Sequence, residues 1–335
     1  MLRLSSFIFN SDMKEVIQKI AFFFGLLALP VALLFALPYS TEFARHFIKD
    51  DCYNHGAWIF DRLTKNTTPI DVAFIGSSHT IHSFQEKKME SLLNNRFHLA
   101  NLGYCRFGRN LEYLFVKELL ANKKPRLVII EVHEDEPKNS HDIFPYLAGT
   151  KDLLVSPTLI NRDYFSDVFK GASARLEQFK SQFIFQEKYP NTDLNSYGYG
   201  ESNRIATEQE LQKNSQGWRK WAKRRNSPEI EQIQLKYPYS YLLKTIKLLK
   251  SKNIPFVFVY LPESGSKFKN PLRMDFYERY AQVLILPDSI LDDPANWMDD
   301  MHFNDNGAAQ VSEWMAQKLT EIIRLDLDCL QENKN

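Results

Sequence analysis

Residues 20–39 read IAFFFGLLALPVALLFALPY, a run of about 20 residues without one charged side chain. As a helix it spans roughly 30 Å, the thickness of a bilayer's hydrocarbon core. A cleaved signal peptide has a shorter apolar region, about 7–15 residues, followed by a small-x-small site, whereas this run continues through Leu37, Pro38 and Tyr39. A helix buried in a soluble core rarely lacks a polar face over such a length. The sequence therefore predicts an uncleaved transmembrane anchor over 20–39. Arg3, Lys14 and Lys19 precede it, and Arg45 and Lys49 come closely after it. The small positive excess before the anchor, and the single large polar region after it, place residues 1–19 in the cytoplasm and the rest outside.

The chain beyond the anchor is long enough for one α/β domain with an insertion. The 42 basic and 41 acidic side chains nearly cancel, which removes any general attraction for nucleic acid, so no such partner is expected. Cys52, Cys105 and Cys329 show neither CxxC nor Cys/His spacing, so no zinc site or disulfide framework is expected; a single bridge between Cys52 and Cys105 stays open.

A mixed, aromatic connecting segment, 40–65, gives way to a new pattern at Asp71. Val72–Ile75 is a short apolar run closed by Gly76-Ser77-Ser78-His79-Thr80, after which Phe84, Met89, Leu92 and Leu93 fall at helical spacing. Residues 97–102 predict a second strand closed by Gly103, 111–120 a helix, and Leu127–Val132 a third strand. Such alternation predicts a parallel sheet with helical crossovers. It stops after Pro137, and residues 138–238 predict a partly helical insertion. It resumes with a helix at 241–249, strands at 255–261 and 283–286, and a helix at 307–323. The domain thus has two halves, 66–137 and 239–326, with a tail at 327–335. Ligands bind beyond the carboxyl ends of the strands in such sheets, so Ser78, Gly103 and His133 are expected on one rim.

Two loops carry chemistry. A serine hydroxyl is a poor nucleophile until a histidine accepts its proton, and the histidine needs a carboxylate on its other nitrogen. Ser78 at a strand-to-helix turn, and Asp299 three residues before His302, supply those three roles. Backbone N–H groups at the start of the helix after Ser78 can donate to an oxyanion. Each residue also has an ordinary structural use. Ser78 suits a helix N-cap, Asp300 or Asn304 suits a cap for the last helix, and Gly103 suits a sharp turn. His79 and His82 are expected at solvent or a pocket edge, with no role. The run His133, Glu134, Asp135, Glu136, His141 and Asp142 has metal-ligand chemistry, but consecutive acids in a loop point apart and are usually solvated, so no metal or other cofactor is expected. Residues 218–225, WRKWAKRR, read as a basic, aromatic face suited to an anionic polymer, lipid headgroups or plain solvent.

At these residues the chain resembles the SGNH (GDSL-like) hydrolase superfamily. Gly76-Ser77-Ser78-His79-Thr80 matches its serine block, Asn101-Leu102-Gly103 its glycine block, and Asp299-Asp300-Met301-His302 its closing Asp-x-x-His. The resemblance covers roughly 70–135 and 240–325. It implies a three-layer α/β fold, a Ser78–His302–Asp299 triad, and oxyanion donors from the backbones of Ser78 and Gly103. The family's third block, Gly-x-Asn-Asp, is missing: Glu131-Val132-His133-Glu134 stands there, and His133 is the candidate for the absent third donor.

An anchor combined with a degenerate third block is similar to membrane-bound envelope acylation proteins, such as the D-alanine transfer protein of teichoic acid synthesis and the alginate O-acetylation proteins. The resemblance implies a periplasmic or extracellular acyltransferase that passes an acyl group from Ser78 to an envelope glycan, supplied by a membrane-bound acyl donor protein. The alternatives are an esterase or deacetylase of an envelope polysaccharide, and a non-catalytic scaffold of the same fold.

Overall fold

The short apolar runs all become strands of one parallel sheet. In the computed structural model, which describes residues 4–47, 53–157, 160–186, 196–223 and 227–332, the strands are β1 (Val72–Ile75), β2 (Leu99–Asn101), β3 (Leu127–Val132), β4 (Phe256–Tyr260) and β5 (Val283–Ile285). They stand in the order β2-β1-β3-β4-β5, every neighbouring pair parallel. Helices α1 (Leu4–Phe35), α2 (Thr41–Phe47) and α3 (Tyr53–Thr64) precede the sheet. α4 (Ser78–Ile81) and α5 (Glu86–Leu92) link β1 to β2, and α6 (Arg109–Asn122) links β2 to β3. Between β3 and β4 lie α7 (Phe144–Leu147), α8 (Thr150–Leu154), α9 (Tyr164–Phe179) with a π-helical turn at Lys180–Ile184, α10 (Glu208–Lys223) and α11 (Pro228–Ser251). α12 (Met274–Glu278), α13 (Asp288–Leu291) and α14 (Asp305–Glu332) come after β4.

Successive strand residues face opposite sides of a sheet. Val72, Phe74, Ile129 and Val259 therefore join an apolar layer with Val311, Met315 and Leu319 of α14. Ala73, Ile75, Ile130 and Phe258 join a second layer with Phe115 of α6 and Leu242 of α11. Burial on both faces explains why β1 and β3 read as continuous apolar runs rather than alternating ones. The chain is an α/β protein with a five-stranded parallel sheet flanked by helices. The sheet's order reverses between β1 and β3, so the crevice that such sheets use for ligands opens at the carboxyl ends of those two strands.

Two expectations need correction. The apolar helix does not run over 20–39: Met13–Phe35 is the part long and apolar enough to cross a membrane, and its apolar window is not buried in the domain. Residues 36–39 leave the helix and fold onto the domain, because Pro38 cannot donate a helical hydrogen bond and Tyr39 finds partners there. Its hydroxyl donates to the Tyr146 carbonyl, and the Arg175 guanidinium lies 4.4 Å from the Phe35 ring and 4.3 Å from the Tyr39 ring. The insertion also lacks a boundary at 238/239, since α11 runs through it with Pro238 inside and joins the second apolar layer. Cys105 is disulfide-bonded, and Cys52 lies outside the described residues. Most side chains of 218–225 also lie outside them.

Candidate active site

At the carboxyl end of β1 the chain turns at Gly76 and enters α4. Ser77, not Ser78, is the N-cap: its side chain accepts the His79 N–H at 3.1 Å, which leaves the Ser78 hydroxyl out of the capping role. A Cβ at Gly76 would collide with Glu131 Oε2 and Thr80 Oγ1, so only glycine fits above that carboxylate. Gly76→Ala is expected to cost about 3 kcal/mol through this overpacking, read as a lowered midpoint in urea unfolding. An unchanged midpoint would show that the turn relaxes freely.

The second loop is shaped before α14 begins. Trp297 and Phe303 pair as an antiparallel bridge with their rings stacked at 4.3 Å. Met298 N–H donates to the His302 carbonyl at 2.9 Å. Asn304 then caps α14, its Oδ1 accepting the N–H groups of Asn306 and Gly307 at 3.1 and 3.0 Å. Inside this clamp Asp299 Oδ1 accepts the Met301 and His302 N–H groups, each at 2.8 Å. Both Asp299 oxygens lie 3.0 Å from His302 Nδ1, and His302 Nε2 is 2.8 Å from Ser78 Oγ. Burial pushes the Asp299 carboxyl upward, but the His302 ring and the two backbone donors outweigh it and hold it down at about 2. The three residues singled out by spacing thus form one hydrogen-bonded chain, with His302 and Asp299 side chains 17% and 31% exposed.

Beneath α4 lies a group that sequence reasoning missed. Glu131 occupies the one polar position of β3 and is fully buried. Its carboxylate accepts Ser77 N–H and Oγ–H, each at 2.7 Å, Thr80 N–H at 3.1 Å, and the Thr80 hydroxyl. His133 Nε2 donates to its Oε1. Burial alone would raise this carboxyl; the His133 charge and hydrogen bond, with the Thr80 hydroxyl, outweigh it and hold it well below the usual carboxylate range. Burial likewise lowers His133, and Glu131 more than reverses that, so His133 is raised. Asn101, at the end of β2, ties the other end of α4, its Nδ2 donating to the carbonyls of Thr80, Ile81 and Phe84 at 2.8, 3.3 and 3.1 Å. An acid inside an apolar six-residue strand was the legible signal for Glu131.

Of the remaining histidines, His79 and His133 depart from expectation. His79 is buried, not solvent-facing: its Nδ1–H donates to the Leu261 carbonyl at 3.2 Å, its Nε2 has no protein partner, and burial lowers it to about 3, which keeps the ring neutral. It sits between His133 and His302, with ring centroids 4.4 and 5.4 Å away. His82 is half-buried and donates through Nδ1 to the Gly200 carbonyl at 2.8 Å. His133 does not present Nε2 to Ser78, because that nitrogen serves Glu131 and lies 3.3 Å from Ser77 Oγ. Gly103 reaches the site's edge, where a Cβ would meet the Ser77 carbonyl at 2.7 Å, and its N–H donates to Asn101 Oδ1 at 3.2 Å.

The acidic run after β3 scatters, as expected of such a loop: Glu134 and Glu136 are buried on specific partners, while Asp142 stays exposed. Glu136 pairs with Arg109, Glu134 accepts the Glu263 N–H, and Asp142 pairs with Arg106. Among the described residues, His79, Glu131 and His133 are the one set with donor atoms within 4.8 Å of one another, a ligand set suited to a divalent ion by atom type. Glu131's oxygens already face Ser77, Thr80 and His133, so an ion there would have to displace the bonds that shape α4.

Neither a protein-family model nor a curated protein matches the chain. The chemistry is therefore carried by geometry. A serine oxygen, an imidazole nitrogen that can take its proton, and a carboxylate on the far nitrogen are the parts of nucleophilic acyl transfer.

Proposed function

We propose that the chain is a membrane-anchored serine acyltransferase of SGNH type, acting outside the cytoplasm on a cell-envelope glycan. The observation that carries the reading is the chain of contacts from Ser78 Oγ to His302 Nε2, at 2.8 Å, and from His302 Nδ1 to Asp299, at 3.0 Å. Ser78 Oγ attacks the acyl carbonyl of the donor while its proton passes to His302 Nε2. The N–H of Ser78, in the first turn of α4, faces the developing oxyanion together with that of Gly103 once it leaves Asn101. His302 then gives its proton to the leaving oxygen or sulfur, and an acyl-Ser78 ester is left. A glycan hydroxyl loses its proton to Nε2, attacks the ester, and the proton returns to Ser78 Oγ. Asp299 keeps the ring in the tautomer with Nδ1–H and balances the imidazolium.

The compartment is supported by two features. Met13–Phe35 is one helix able to cross a bilayer, and a disulfide at Cys105 is kept in oxidising surroundings rather than in the cytosol. The glycan acceptor and the donor protein rest on the resemblance to anchored envelope acylation proteins.

The test is covalent labelling. The full chain in detergent is expected to take one fluorophosphonate, mapped by peptide mass to Ser78, and Ser78→Ala is expected to take none. A folded sample that stays unlabelled while a known serine esterase reacts, or a label on Ser77, sinks the reading. Labelled protein leads to the acceptor question, decided by whether acetyl groups from an activated ester appear on added oligosaccharide or only as free acid.

A further inference from the structure

One face of α9 is exposed and apolar. Phe165 and Phe169 stand one turn apart and are 84% and 68% exposed, while Asp167, Gly171, Ala172 and Arg175 on the other face are buried. Phe183, Ile184 and Phe185 extend the exposed face past the π-helical turn, and Val155 lies at its other end, near Tyr164, whose hydroxyl donates to the Leu154 carbonyl at 3.3 Å. Ordered aromatic side chains in such exposure mark a surface with an occupant.

Position identifies the occupant. The same helix grips the chain where it leaves α1: Arg175 covers Phe35 and Tyr39, and Gln178 Nε2 donates to the Ser40 carbonyl at 3.1 Å. The buried face of α9 thus holds the end of the segment able to cross a membrane, and the exposed face lies across the width of the same helix, roughly 10 Å away. Lys170 and Lys180 flank the aromatic stripe, Lys180 paired with the exposed Glu177 at 2.9 Å; basic side chains with long apolar stems suit the edge of a helix that lies in a lipid interface. We propose that α9 and its π-helical turn lie in the outer leaflet's interface, with Phe165, Phe169 and the Phe183, Ile184, Phe185 turn inserted among the acyl chains. A lipid surface, not a protein partner, covers this face, and the domain is held on the membrane at two adjoining places.

The proposal rests on α1 lying in the bilayer but not on the chemistry at Ser78. It is tested with the full chain in nanodiscs of phosphatidylcholine and phosphatidylglycerol at 3:1, made with or without dibrominated acyl chains. Tryptophan is introduced singly as Phe165→Trp, Phe169→Trp, Phe23→Trp within α1, and Gln317→Trp on the exposed face of α14, and each emission is read as the difference from the unsubstituted chain. Brominated lipid is expected to lower the added emission about twofold at positions 165, 169 and 23. It is expected to leave position 317 unchanged, and aqueous iodide is expected to do the reverse. Quenching by iodide but not by bromolipid at 165 and 169, with position 23 quenched by bromolipid, overturns the proposal while leaving the anchor intact. Shielding from both quenchers that grows with protein-to-lipid ratio assigns the face to a second copy and also overturns it. Failure of bromolipid at position 23 removes the anchor reading and the proposal together.

Discussion

Turnover of an activated ester is expected to fall by about 10⁴-fold when Asp299 is replaced by asparagine, and by at least as much in His302→Ala, with the fold intact in both. The two losses have different origins. Without His302 the Ser78 hydroxyl loses the nitrogen placed 2.8 Å from it, while the nearby rings are held elsewhere: His79 and His82 by their Nδ1–H on the Leu261 and Gly200 carbonyls, and His133 by Glu131. Asparagine at 299 keeps a similar shape, but its NH₂ faces an Nδ1 that must then accept, so Nε2 carries the proton and no longer serves as base. Stopped-flow release of p-nitrophenol from the detergent-solubilised chain measures both, with circular dichroism as the check on folding. The double variant is expected to lose no more than His302→Ala alone, because the groups act as one unit. Additive losses, or residual activity above about a hundredth in either single variant, would put the proton acceptor elsewhere.

Removing the carboxylate beneath the nucleophile turn is expected to be the largest stability loss in the domain. Glu131→Ala leaves the His133 cation buried without its anion, and orphans the N–H groups of Ser77 and Thr80 together with their hydroxyls. Breaking a buried pair of this kind costs about 3–5 kcal/mol, which lowers the thermal midpoint by roughly 5–8 °C for a domain of this size. The pH dependence gives a second readout. Glu131 is held below its unfolded value, so its contribution is present above about pH 4.3 and is lost as pH falls toward the folded value. His133 is raised, so its contribution is complete below about pH 6.5 and is lost as pH rises through the folded value. The stability gap between the natural chain and Glu131→Ala is therefore expected to be widest between about pH 4.3 and 6.5 and to narrow on both sides. Urea denaturation at a series of pH values measures it, and a gap that is flat with pH would mean that the pair is not ionic.

Spacing locates the strands and, together with the resemblance to the SGNH serine and Asp-x-x-His blocks, the three residues that meet at Ser78. Val72–Ile75 and Leu127–Val132 are buried on both faces, which gives an unbroken apolar run bounded by turn residues. The motifs after Gly76 and before α14 are local, so they survive in one dimension. The features that stay hidden depend on partners far away in the chain. In sequence the cap falls on Ser78; it moves to Ser77 only once Glu131, 54 residues on, holds the Ser77 side chain beneath α4. His79 looks like any polar loop residue until Leu261, 182 residues on, covers it. His133 comes two positions after Glu131 and so falls on its side of the sheet, but that its Nε2 turns to that carboxylate and not to Ser78 is decided only in the fold. The end of the apolar helix differs from expectation for a related reason. Tyr39 belongs to the apolar run by composition, but Tyr146 and Arg175 draw it out of the helix.

That same clasp decides what the protein can reach. Residues 36–40 alone separate α1 from α2, and they are fastened to the domain by Tyr39 and by the bond from Gln178 to Ser40. A domain on a loose tether samples a hemisphere and meets soluble polymer anywhere within the tether's length. With α1 in a bilayer, as proposed, a domain seated on its own stem meets what drifts to the stem's foot, so the encounters expected of it are lateral, with partners confined to the same plane.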